Sequence, residues 1–126
     1  MEWHQAGDIQ KKIKEIVRVL KFDYMDPSRI VCFRSEGSTS RARARIWSFP
    51  RVWQLALKVP PHYVIEVLSE HFDKYSLEDK ERILIHELMH IPKNFSGALI
   101  PHRGRGTHIN ARNVEKLFQL YKENSR

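Results

Sequence analysis

From Ile83 to Ile91 the chain is apolar at Ile83, Leu84, Ile85, Leu88, Met89 and Ile91, and the remaining positions are His86, Glu87 and His90. No other stretch constrains the fold as strongly. A helix that is apolar almost all round belongs in the centre of a domain. Burying two imidazoles and a carboxylate there costs several kcal/mol unless they are paired or hold a metal. Ser76-Leu77-Glu78-Asp79 reads as the helix start, with Ser76 as cap and acids in the first turn. Pro92 ends it, because the residue before a proline is steered away from helical angles, so the helix is expected to reach about Ile91.

His86-Glu87-Leu88-Met89-His90 has the form H-E-x-x-H. Residues four apart on a helix are offset by about 40° and one turn, so both imidazoles can reach one zinc ion. Glu87 then sits outside the coordination shell, where a carboxylate can take a proton from metal-bound water. The plainer alternative is a structural His/Glu cluster hydrogen-bonded to backbone, and the apolar setting favours zinc over it. A catalytic zinc takes three protein ligands and leaves one position open. No acidic residue occurs between Glu87 and Glu115, so the intervening loop cannot supply a carboxylate. His102 and His108 are the candidate third ligands, and the other of the two can act in an outer shell or touch substrate. His4, His62 and His71 have no metal-ligand spacing.

The rest of the chain reads as one α+β domain over residues 1–126. Ile9, Ile13, Ile16, Val17 and Leu20 recur at helical spacing and predict an amphipathic helix from about Asp8, a candidate cap, to Lys21. Ile30-Val31-Cys32-Phe33, Arg41 through Trp47, and Tyr63 through Leu68 read as strands. Pro50 opens a short helix to about Leu57 with Val52, Trp53 and Leu57 as apolar contacts, and a last helix is expected from about Ile109 to Lys122. Trp47, Phe49 and Trp53 can stack on bases, but their spacing favours the core. Tyr63 and Tyr75 are candidate oxyanion donors that nothing in the sequence places near zinc.

Composition excludes some classes. A single cysteine, Cys32, rules out an internal disulfide framework and thiolate zinc sites, and reads as an inert core thiol. No apolar run approaches the roughly 20 residues that span a bilayer, and the first residues lack a signal-peptide pattern. A reducing, cytoplasmic setting, no membrane and a monomer are the expectations.

At this point the residues resemble a family. The motif, a loop, and then Pro101-His102-Arg103-Gly104 look like SprT/Spartan-type zinc metalloproteases, in which a Pro/Gly-His-Gly segment supplies the third histidine. The longer run through Pro92-Lys93-Asn94-Phe95-Ser96-Gly97 to His102 is similar to a group of archaeal and phage metallopeptidases. The resemblance covers roughly residues 40 to 122 and is strongest from 83 to 102. It implies a zincin-like fold: a small, about three-stranded, mostly antiparallel sheet packed on the central helix, with N- and C-terminal helices. It implies His86, His90 and His102 as ligands of one zinc ion and Glu87 as the catalytic base. Arg103 stands where that pattern has glycine, which keeps His108 open.

Charge adds a located expectation. The net charge is +7, yet Gly37 to Ile65 and Leu88 to Val114 contain no acid. Zincins bind extended peptides along a sheet edge by strand addition. Arg41, Arg43 and Arg45 would then rim the cleft and favour an acidic peptide or a protein held on nucleic acid; a plain solvated basic surface weighs equally. The expected function is a zinc peptidase acting on protein or peptide substrates through a zinc-bound water activated by Glu87. The alternatives are a zinc-dependent phosphodiester (RNA) hydrolase and a non-catalytic, zinc-stabilised module that binds nucleic acid or protein.

Overall fold

The computed structural model describes residues 1–102 and 108–125. Elements follow in the order β1 (Glu2–Gln5), α1 (Gly7–Val19), β2 (Ile30–Glu36), β3 (Ala44–Trp47), α2 (Arg51–Leu57), β4 (Tyr63–Leu68), α3 (Ser69–Phe72), α4 (Leu77–Leu88) and α5 (Ala111–Ser125), with a 3-10 turn at Pro27–Arg29 before β2. The four strands form one sheet in the order β1-β2-β4-β3. The outer pairs β1–β2 and β3–β4 are antiparallel, and the central pair β2–β4 is parallel.

The sheet thus has four strands rather than about three, and it is mixed. The added strand, β1, is exposed at every residue and is held by pairing Glu2 through Gln5 with Glu36 back through Phe33. Such a strand carries no alternating apolar signal, because neither of its faces enters the core.

Side chains alternate across the sheet. Ile30, Cys32, Tyr63, Ile65 and Val67 point to one face and are buried with Ile9, Ile13 and Ile16 of α1, Ile83, Leu84, Ile85 and Leu88 of α4, and Val114, Phe118 and Tyr121 of α5. A fully buried aliphatic or aromatic side chain contributes about 1.5–3 kcal/mol, so this one cluster is the main source of stability. It is also tied by charge: Lys12 of α1 donates to the buried Glu81 of α4 at 2.9 Å and to Tyr121 of α5 at 3.3 Å. Burial raises the Cys32 thiol to about 12, so it stays protonated and inert.

Several local expectations need correction. Asp8 does not cap α1; it lies in the first turn and bonds Arg34 at 3.1 Å, while Ala6 occupies the cap position. β3 starts at Ala44 rather than Arg41, because the Ser38 and Ser40 hydroxyls accept from the Ser40 and Ala42 amides and hold that segment in turns. In α2 the residue that faces inward is Gln54, while Val52, Trp53, Leu55 and Leu57 are exposed. Gln54 is turned in because its amide donates to Phe49 O at 2.9 Å and to Ser96 O at 2.8 Å. Trp47 is exposed too, so neither tryptophan of that region is core. Among the described residues, no helix is long and apolar enough to cross a membrane.

Candidate metal centre

Ser76 caps α4 as expected, accepting from the Asp79 amide at 3.2 Å. The helix ends at Leu88, short of Ile91, and tightens: the His90 amide bonds Glu87 O at 3.1 Å and the Ile91 amide bonds Leu88 O at 3.0 Å. These three-residue closures are of the 3-10 kind. His90 therefore stands one turn from His86 but already on the exit from the helix.

The exit loop is tied to the sheet at Gly97. The Gly97 amide donates to the Tyr63 hydroxyl at 2.9 Å, and that hydroxyl donates to Ala98 O at 2.8 Å. Gly97 O accepts from the Phe49 amide at 2.8 Å. Gly97 has φ +94, and a Cβ there would lie 2.3 Å from Phe49 O, so only glycine fits. Tyr63 is thereby committed to the loop and is not an oxyanion donor.

The clamped loop delivers Ile100 beside His90. The Ile100 amide bonds His90 O at 2.7 Å, and His90 Nδ1 lies 2.6 Å from Ile100 O. A carbonyl can only accept, so Nδ1 carries the proton and Nε2 presents a bare lone pair. This is the outer-shell bond that orients a metal-binding imidazole.

His102 follows two residues later. One ring nitrogen from each of His86, His90 and His102 lies within 4.8 Å of the others. His86 Nε2 and His102 Nε2 are 3.0 Å apart, and the His90 and His102 ring centres are separated by 4.6 Å. Burial and the neighbouring imidazoles lower His86, to about 4, and burial lowers His90, so both are neutral at pH 7. Three imidazoles with converging nitrogens fit a zinc or similar transition-metal ion, for which nitrogen distances are about 2.0–2.1 Å. His86, His90 and His102 can bind a metal. His108 is exposed and is not in this group. A second group, Glu2, His4 and Glu36, is fully exposed on the β1–β2 rim.

Glu87 is 7% exposed. Burial raises its carboxyl to about 7, against the opposing pull of Arg43 and a hydrogen bond from the Ile46 backbone. That bond comes from β3, which is an edge strand. The Leu68 amide bonds Arg43 O at 3.0 Å, which makes 43:68 a hydrogen-bonded pair of the antiparallel ladder. By alternation, Arg45 and Trp47 also turn their backbone groups to β4, and Ala44 and Ile46 turn theirs outward. The Ile46 amide goes to Glu87. Among the described residues, nothing pairs with the Ala44 amide and carbonyl or the Ile46 carbonyl on this sheet edge.

The predicted arginines separate. Arg45 is not free: it donates to the buried Glu66 at 2.7 Å, and its guanidinium lies 5.1 Å over Trp47. Arg41 is exposed, and Arg43 stacks over Tyr75 at 5.5 Å. Arg103 and Arg105 lie outside the described residues. Sequence reasoning missed Tyr63, Gln54 and Gly97, which hold the exit loop. The only local signal was the glycine after Phe95-Ser96.

Set beside known families, residues 1–122 match the one described as putative phage metallopeptidase, and the chain belongs to it. The description is that of a metal-dependent peptidase. No curated protein and no solved structure matches the chain.

Proposed function

We propose that the protein is a zinc-dependent peptidase with a zincin-like, SprT-like site, in which His86, His90 and His102 hold one zinc ion and Glu87 is the catalytic base. The observation that carries this reading is the convergence of three imidazoles next to a buried carboxylate that, among the described residues, has few hydrogen-bond donors and lies at an unpaired sheet edge. Zinc, when bound, supplies Lewis acidity that acidifies water and polarises a carbonyl.

The chain's own groups do the rest. The free edge of β3 binds an extended substrate by adding a strand, through the Ala44 amide and carbonyl and the Ile46 carbonyl. The backbone bond from Ile46 holds the Glu87 carboxylate at the same edge. A carboxyl raised towards neutrality accepts a proton from water at Oε and returns it to the leaving amine with little penalty either way. His90 keeps its Nδ1 proton on Ile100 O throughout, so its other nitrogen stays available as a donor.

A closed structural zinc needs a fourth donor, and the group contains three. His108, the donor that would close it, is exposed and lies outside the group. The test is a set of measurements on zinc-loaded protein. One zinc per chain, a cobalt-substituted spectrum with an open water position, and hydrolysis lost in Glu87→Gln with metal retained would support the reading. Full turnover in Glu87→Gln would remove Glu87 as base, and a four-histidine cobalt spectrum would make the metal structural.

A further inference from the structure

A cavity of about 420 Å³ opens beside the metal centre, between the approach to β3, the start of α4 and the start of α5. His86 forms part of its wall, with Arg43, Tyr75, Asp79, Arg82 and Glu115. Its charges are unequal in what they have left to offer. Arg82 is committed to two carboxylates: it donates to Asp79 at 2.9 Å and to Glu115 at 2.8 and 3.3 Å, and it lies 4.1 Å over the Phe118 ring. Those two carboxylates are held by it, and Glu115 also accepts from Gln119. Arg43 has no carboxylate partner among the described residues. Its guanidinium rests on the Tyr75 ring, and its charge is felt at His86 and Glu87.

An arginine poised on an aromatic face keeps its planar fork of donors free and pre-oriented for one more planar anion. Arg43 stands immediately before the edge strand β3, where its carbonyl accepts from the Leu68 amide at 3.0 Å. A chain laid along β3 would carry its scissile bond past His86 and Glu87 and the neighbouring residue into this cavity. We propose that Arg43, backed by Tyr75, is a specificity-determining residue that selects substrates with a carboxylate next to the bond to be cut. The carboxylate is that of an acidic side chain or of a chain end. This rests on the peptidase reading, and it narrows the three predicted rim arginines to one, since Arg45 is spent on Glu66 and Arg41 does not line the cavity.

The experiment measures binding as well as cleavage. Zinc-loaded Glu87→Gln protein is titrated with fluorescent peptides of two sets. Members of the first are blocked at both ends and carry Asp, Asn or Lys at successive positions. Members of the second are apolar and end in a free carboxylate or an amide. The expected result is about tenfold tighter binding of Asp over Asn at one position, or of the free over the amidated end, shrinking with salt. Whichever set discriminates names the source of the carboxylate. In Arg43→Ala the preference should vanish, in Arg43→Glu it should turn towards Lys, and in Arg43→Lys part should remain. Zinc content should be unchanged in all three.

Absence of binding, no discrimination in either set, or discrimination that survives Arg43→Ala overturns the proposal. So does an equal loss of rate on every peptide in Arg43→Ala, which would give Arg43 a general role in the reaction. The peptidase reading fails separately. A carboxylate preference without cleavage by wild type keeps the role of Arg43 and ends that reading, and cleavage without preference does the reverse.

Discussion

Glu66 and Glu87 are both buried carboxylates, both lie against β3, and the fold treats them in opposite ways. Glu66, on the central strand β4, is fully occupied. It accepts from Ser35 at 2.5 Å, from Arg45 at 2.7 Å and from Trp47 at 3.0 Å. Burial opposes ionisation there, and these three donors outweigh it, so the group stays below the ordinary glutamate value. Glu87, on α4, receives among the described residues the Ile46 backbone bond and the field of Arg43, and burial wins, raising it to about 7. The same short strand serves both: side chains of Arg45 and Trp47 go to one carboxylate, and a backbone amide between them goes to the other. A structural carboxylate is one whose lone pairs are used up; a carboxylate meant to move a proton is left short of donors.

That contrast can be broken most sharply by Glu→Gln at each site. Glu87→Gln should lower peptide hydrolysis by at least about 100-fold, with zinc content and thermal melting nearly unchanged; a large drop in melting temperature would make Glu87 a structural group like Glu66. Next in size is the metal itself. Removal of zinc by chelator should abolish hydrolysis and lower stability by about 4 kcal/mol where free zinc had been a thousandfold above its dissociation constant, read by calorimetry at fixed metal. His102→Ala should weaken zinc binding by at least about 100-fold, whereas His108→Ala should leave it within about twofold; the opposite ranking in competition titrations would exchange their roles.

Smaller effects test the supports. Glu66→Gln should cost about 2 kcal/mol, by leaving the Arg45 guanidinium without its carboxylate, and should leave zinc affinity alone; chemical denaturation and metal titration measure the two. The smallest effect is its pH signature. A carboxyl held below its ordinary value stabilises the fold above that value and loses the contribution as pH falls through its folded value. Wild-type stability should therefore decline on acidification below about the usual glutamate range, and Glu66→Gln should flatten that slope.

The half of the molecule that carries the three converging histidines was largely legible in the sequence. The apolar run around His86 and His90 demands burial, Ser76 and Pro92 bracket the helix, and β4 was bounded at Tyr63 and Leu68 by a run apolar at every position but Glu66. Its neighbours were harder for definite reasons. β1 becomes a strand only because β2 offers it an edge. α2 hides a glutamine and exposes two leucines, because loop carbonyls at Phe49 and Ser96 need donors. The parallel pairing of β2 with β4 is non-local and leaves no mark in either strand alone. That Arg45 and Arg43 differ in use follows from Glu66 lying opposite Arg45 in the register, which no count of charges could show.

The parallel pair has one more consequence. β2 and β4 lie side by side although residues 37–62 separate them, so β3 and α2 form an excursion from the sheet's centre. The histidines and Glu87 belong to the trunk; the rim proposed to meet a substrate belongs to the branch. The branch touches Glu87 through a backbone amide, a contact any residue but proline provides at position 46. The branch is otherwise tied down by Phe49 and Gln54 to the exit loop, by Arg45 and Trp47 to Glu66, and by Ala44 and Ile46 packed on the core. On the proposed peptidase reading, grafting this branch from one relative to another is expected to change what is cut while leaving His86, Glu87, His90 and His102 in place.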